Sequence, residues 1–207
     1  MARLVAEAMP TAIRTVEQRL QRPFANTPRI FVCATMQSFD AYGGRGRSGF
    51  VFARRLFISP KSSNSSDRIP GLITHELAHL HVQQRRNLVA RLVAAPDPGW
   101  FTEGIAVFAS GGFGGEPVTE QQAREAIVSG RHFRAIEPEM LGQSMGYRQS
   151  GMFITFLKRV DEVRFKTFLF AAEDGRDIES ALKIAYGTGL SELWRRFADE
   201  AARHVGS

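Results

Sequence analysis

Apolar positions along this chain change their period twice. Over residues 4–20, Leu4, Val5, Ala8, Ala12, Ile13, Val16 and Leu20 recur at helical spacing, with Pro10 as an expected kink or restart. "RPFANTP" breaks that pattern, and "RIFVCAT" (residues 29–35) is rich in β-formers and reads as a strand. "SFDAYGGRGRSG" reads as a loop by composition, and "FVFARRLFISP" as one or two strands ending at Pro60. The polar "KSSNSSD" then leads to a helix with Pro70 near its start and Asp67 placed to cap it. From Trp100 onward the runs "WFTEGIAVFAS", "TEQQAREAIVS", "SGMFITFLKRV", "EVRFKTFLFAAE", "DIESALKIAY" and "LSELWRRFADEAARHV" all carry helical periodicity. Glycine-rich "SGGFGGE" reads as a plain connector between the first two. The order helix, strands, many helices predicts an α+β fold in one domain over residues 1–207. Residues 1–61 would form a helix and a small basic sheet region, and residues 67–207 a mainly helical part.

Within that pattern, "LITHELAHLHV" is out of place. Two histidines and a glutamate interrupt a run that apolar residues could fill, and burying such groups without a partner is unfavourable. His75, Glu76 and His79 spell H-E-x-x-H, and on a helix residues four apart share a face. Both imidazoles can then reach one ion, and imidazole nitrogen suits zinc at about 2.0–2.1 Å. Glu76, beside the first ligand, is placed to take a proton from a zinc-bound water whose pKa has been lowered to about 7. Leu72, Ile73, Leu77, Ala78 and Leu80 would seat the helix on the core.

A catalytic zinc takes a third protein ligand and keeps one position open. Glu103 in "WFTEGIAVFAS" is a lone acid in an apolar helix, followed by a glycine that would let the two ligand-bearing helices approach. Asp97 in the turn "APDPGW" and His132 in "SGRHFRA" are the alternatives, the first reading as turn chemistry and the second as a surface or loop residue. His81 is turned to another face of its helix, and His204 lies in an exposed C-terminal tail. The single cysteine, Cys33, excludes an internal disulfide and any cysteine-based metal site, and reads as a buried apolar side chain.

"HELAH" followed by "WFTEGIA" resembles the gluzincin zinc metallopeptidases, the thermolysin-like group. The resemblance spans residues 29–198 in layout, although only the two motifs are specific. It implies a zincin-like fold, His75, His79 and Glu103 as ligands of one zinc ion per chain, and Glu76 as general base. It also implies a small sheet whose edge strand holds extended peptide. "GYRQSGMFITFLKRV" resembles a helix of several bacterial relatives and nominates Tyr147 as a hydrogen-bond donor to the oxyanion. Two departures stand out. Many gluzincins carry an aspartate four residues after the third ligand, and here that position is Val107. The chain also has no obvious large substrate-binding domain.

Charge adds one further expectation. Residues 1–61 hold 10 Lys/Arg and 3 Asp/Glu, a balance of +7, and the remainder holds 17 and 18, a balance of −1. The whole surplus of +6 therefore lies in the N-terminal part, where an anionic surface or ligand is the expected partner and no specific nucleic acid is. The function expected is peptide-bond hydrolysis. Its rival is an inactive zincin-like protein that binds an anionic partner through the basic region. As it stands the chain reads as cytoplasmic, whereas an export or anchor segment ahead of Met1 would make it periplasmic or membrane-anchored.

Overall fold

A computed structural model describes residues 1–64, 66–86, 97–134 and 138–205. Pro96 of "APDPGW" and Ser65 of "KSSNSSD" lie outside the described residues. The architecture is mixed α+β, dominated by helix with one small sheet. No described helix is long and apolar enough to cross a membrane. Two compact units are present: residues 1–85 with 109–113, and residues 86–108 with 114–207.

The first unit opens with α1 (Ala2–Leu20), whose Val5, Ala12, Val16 and Leu20 form a buried stripe. Pro10 does not interrupt it: the helix runs through, losing only the one hydrogen bond that a proline nitrogen cannot donate. Strands β1 (Ile30–Val32), β2 (Gly49–Phe52) and β3 (Arg55–Ile58) pair in the order β1-β3-β2, with β1 parallel and β2 antiparallel to β3. "FVFARRLFISP" is thus a hairpin, turning at Ala53 and Arg54, both at positive φ (48° and 59°).

The stretch expected to be all loop contains a short helix, α2 (Met36–Ala41), started by a Thr35–Ser38 capping box. Its Phe39 packs with Cys33, Phe50 and Phe57 on one face of the sheet. Burial there raises the Cys33 thiol pKa. Asp67 does not cap the next helix; it sits in a 3-10 turn (Ser66–Arg68) just ahead of α3 (Ile69–Arg85). Helix α3 packs along α1 and against β2 and β3.

The second unit is helical: α4 (Gly99–Ser110, its last two residues counted with the first unit), α5 (Glu120–Val128), α6 (Pro138–Leu141), α7 (Gln143–Val160), α8 (Glu162–Glu173), α9 (Ile178–Tyr186) and α10 (Leu190–Arg203). Thr119, Asp161 and Asp177 cap α5, α8 and α9 by accepting from the backbone N–H three residues on. An aromatic cluster of Trp100, Phe133, Phe153, Trp194 and Phe197 forms its centre, with ring centroids 4.5–6.4 Å apart.

Candidate metal centre

Of the seventeen residues of α3, twelve are buried, and among these are Thr74, His75, Glu76, His81 and Gln84. That polar content separates it from an ordinary core helix. Leu72, Ile73, Leu77, Ala78 and Leu80 are buried as the periodicity requires, and they hold the helix in place. Thr74, His81 and Gln84 serve the backbone. Thr74 Oγ1 donates to the Pro70 carbonyl at 2.7 Å. His81 Nε2–H donates to the Arg22 carbonyl at 2.9 Å, with the Phe24 ring edge-on at 4.9 Å. Gln84 Oε1 accepts from the Asn26 N–H at 2.9 Å. These bonds fasten the segment after α1 onto α3, and they commit His81 to a structural role.

His75 and Glu76 are different. They are 4% and 8% exposed, and the half-buried His79 lies one turn beyond His75 on the same side of the helix. The two imidazoles meet edge to face, 5.0 Å between centroids and 78° between planes. Two neighbours shape this side. Gly49, the first residue of β2, lies so close that a methyl group there would stand 3.0–3.2 Å from Glu76 Cγ, Cδ and Oε1. Phe113 sets its ring edge to His75 at 5.8 Å, and a methyl group at Gly71 would meet that ring at 2.6 Å. The Arg68 guanidinium lies 5.0 Å from the centre of the same ring. "SGGFGGE" is therefore more than a connector, since its single aromatic residue packs on the first histidine of the motif.

Sequence reasoning missed both Gly49 and Phe113. A glycine opening a strand does signal close backbone approach, and a lone aromatic among glycines signals an anchored loop. Neither says which residue is approached. As a donor set, two imidazoles on one face of a buried helix fit zinc, and the glycine-lined space beside Glu76 fits a carboxylate that must exchange protons.

The remaining nominees stand in the second unit. Glu103 is half-buried on α4. The glycine after it makes a close approach to α7: a methyl group at Gly104 would lie 2.9 Å from the Ser150 carbonyl oxygen and from Ile154. Its tight packing partner is thus α7, where the sequence suggested the other ligand-bearing helix. Val107, at the position where many gluzincins have aspartate, is buried and would stand 2.5 Å from a methyl group at Gly151. Small residues on α7 let α4 seat closely, and an aspartate at 107 would be buried among apolar atoms.

Tyr147 lies inside α7, and its hydroxyl accepts from Gln143 Nε2 at 3.1 Å. Asp97, the first alternative ligand, forms an ion pair with Arg86, which also donates to the Ala172 carbonyl at 2.9 Å. His132, the second, is not a plain surface histidine. It packs 5.0 Å from the Trp194 ring, and burial, aided by the charge of Arg134, lowers its pKa. His204 is exposed, as expected. Compared with protein families, with curated proteins and with solved structures, the chain matches none.

Proposed function

We propose that this protein is a zinc-dependent metallopeptidase that hydrolyses peptide bonds with Glu76 as general base. The observation that carries this reading is the buried pair His75 and His79, edge to face on one side of α3, with Glu76 beside them against Gly49. The donors proposed for the ion are His75, His79 and Glu103, a group in which each can supply one ligand atom. When bound, zinc supplies an acidified water and a positive charge that polarises the scissile carbonyl. Glu76 takes the proton from the attacking water and delivers it to the amine that leaves. Tyr147 is the proposed hydrogen-bond donor to the oxyanion. The outer edge of β2 is the proposed seat for extended substrate, because Gly49 brings that strand against Glu76.

Two variants test this together. Elemental analysis of the wild type is expected to find about one zinc per chain, and Glu103→Ala far less, since a catalytic site with two protein ligands holds the ion weakly. Glu76→Gln should keep its zinc and lose hydrolysis of a mixed peptide library by about 10²–10⁴-fold. Full zinc in Glu103→Ala would remove the third ligand from the reading. Undiminished hydrolysis by a well-folded Glu76→Gln would remove the mechanism.

A further inference from the structure

In the first unit the sheet has two faces of different character. Leu56 and Ile58 of β3 point to the face on which α3 packs, and both are fully buried. The opposite face carries a row of three phenylalanines in register, Phe31 on β1, Phe57 on β3 and Phe50 on β2. Their rings stack in sequence, 5.2 Å and 5.1 Å between centroids and 19° and 13° between planes. Helix α2 covers only part of the row. Phe39 meets Phe50 edge-on, and Tyr42, at the end of α2, tilts over Phe57 at 4.8 Å. Phe50 and Phe57 are buried in consequence, whereas Phe31 is 44% and Tyr42 55% exposed. Two residues beyond Phe50 on the same face, Phe52 is 61% exposed, opposite the exposed Arg55.

Arginines surround these rings. Residues 29–61 contain six Lys/Arg, five of them arginine, and the single acid Asp40, a balance of 6 − 1 = +5. Arg29, Arg45, Arg47 and Arg55 are exposed and form no ion pair among the described residues. Arg45 and Arg47 stand in "YGGRGRSG", the loop from Tyr42 to β2, and that loop has defined structure. Gly44 sits directly on the Phe39 ring, at 2.1 Å for an added methyl group, and the Arg47 N–H donates to the Gly44 carbonyl at 3.1 Å. Asp40 Oδ1 accepts from the Gly46 N–H. The only acid in the segment is thus turned to holding the loop.

We propose that this face, bearing Phe31, Tyr42 and Phe52 among Arg29, Arg45, Arg47 and Arg55, binds single-stranded nucleic acid without sequence preference. Each ring offers a surface on which an unpaired base stacks, and Phe31 and Tyr42 already extend a stack that begins with buried Phe50 and Phe57. Guanidinium groups take backbone phosphate in bidentate pairs and stack on bases, which suits a surplus made of arginine more than one made of lysine. A fully paired duplex hides its base faces and gains only the phosphate contacts. An anionic bilayer would likewise use the charges, but it has no need of rings aligned into a stack.

The experiment is fluorescence anisotropy with labelled oligothymidylate of about 20 nucleotides, a length that spans more than one binding footprint of a small domain. Runs at roughly 50 and 200 mM salt give the salt slope. The single strand is expected to bind more tightly than a duplex of equal length, by about fivefold or more, from the stacking that the duplex cannot supply. Phe52→Ala and Phe31→Ala, at exposed positions, should each weaken binding by about fivefold or more. The Arg45→Ala/Arg47→Ala double variant should reduce the salt slope by about 2. A chelator and Glu76→Gln should change none of this, so the outcome is separate from that of the metallopeptidase reading. The proposal is overturned if oligothymidylate fails to bind at the lower salt. It is equally overturned if duplex binds as well and the phenylalanine variants behave as wild type, or if vesicles containing phosphatidylserine bind where the oligonucleotide does not.

Discussion

Helices α3 and α7 both run through the centre of a unit, and they bury polar residues to different ends. On α7 the buried Gln149 is committed to backbone on both sides: Nε2 donates to the Arg131 carbonyl at 2.9 Å and Oε1 accepts from the Phe133 N–H at 3.2 Å. The neighbouring Arg148 donates to the Val118 carbonyl at 2.7 Å. Elsewhere in the same unit the buried Tyr186 hydroxyl donates to the Leu157 carbonyl at 2.9 Å, and burial drives its pKa well up. These groups staple loops and helix ends around an aromatic centre. On α3, Thr74, His81 and Gln84 do the same work, but His75, Glu76 and His79 are set against Gly49 and Phe113 instead. A buried polar residue tied to backbone explains itself as structure. One whose surroundings were kept small by glycine asks for a chemical reason.

This contrast can be broken at either helix. The largest effect is expected in the aromatic centre of the second unit. Phe153→Ala removes a fully buried ring that touches Trp100, Trp194 and Phe197, and should lower unfolding free energy by about 3–5 kcal/mol, read as a drop in the urea midpoint. A loss below about 1 kcal/mol would mean that the cluster does not carry the core.

A smaller and differently shaped effect is expected at Gly49. The methyl group of Gly49→Ala meets the middle of a long side chain, which can move by a few tenths of an ångström, so stability should fall by only about 1 kcal/mol. Hydrolysis should fall further than stability, by roughly tenfold, because displacing a general base weakens proton transfer sharply. Zinc content should stay unchanged. An unchanged kcat with intact zinc would show that the glycine serves β2 and not Glu76.

The smallest effect concerns His132. Its pKa in the folded protein is lowered by burial and by Arg134, so the native state binds fewer protons than the unfolded chain at mildly acidic pH. The stability tied to the neutral ring is therefore complete above the ordinary histidine value of 6.5 and is lost as pH falls below it towards the folded value. Urea midpoints measured on both sides of that value should decline less for His132→Gln than for wild type. Equal declines would place the pH sensitivity in other groups.

How much of this was legible beforehand differs from element to element. The α+β order, the hairpin region and the helices after Trp100 follow from period and turn residues. Helix α2 was hidden because its six residues are too few to show a period, and the capping box Thr35–Ser38 that starts it uses serine where glutamate or glutamine is the usual signal. Pro10 was read as a break, but a helix with a strong buried stripe on one side outweighs one missing hydrogen bond. Gly104 was recognised as a point of close approach and given the wrong neighbour, since spacing along a chain says that something comes near and not what.

What the sequence by itself determined here is local and geometric. A helix turns about 100° per residue, so His75 and His79 share a side, and His81 cannot join them, whatever else the chain does. The +7 surplus of residues 1–61 and the single cysteine are likewise facts of composition. Tertiary structure alone decided that Gly49 closes on Glu76, that Phe113 returns to His75, and that Phe31 and Phe52 face solvent while Phe50 and Phe57 lie beneath α2. Those outcomes depend on strand register and on which helix covers which face. Both are set by the sum of many weak contacts between residues far apart in the chain, and no short window of sequence contains that sum.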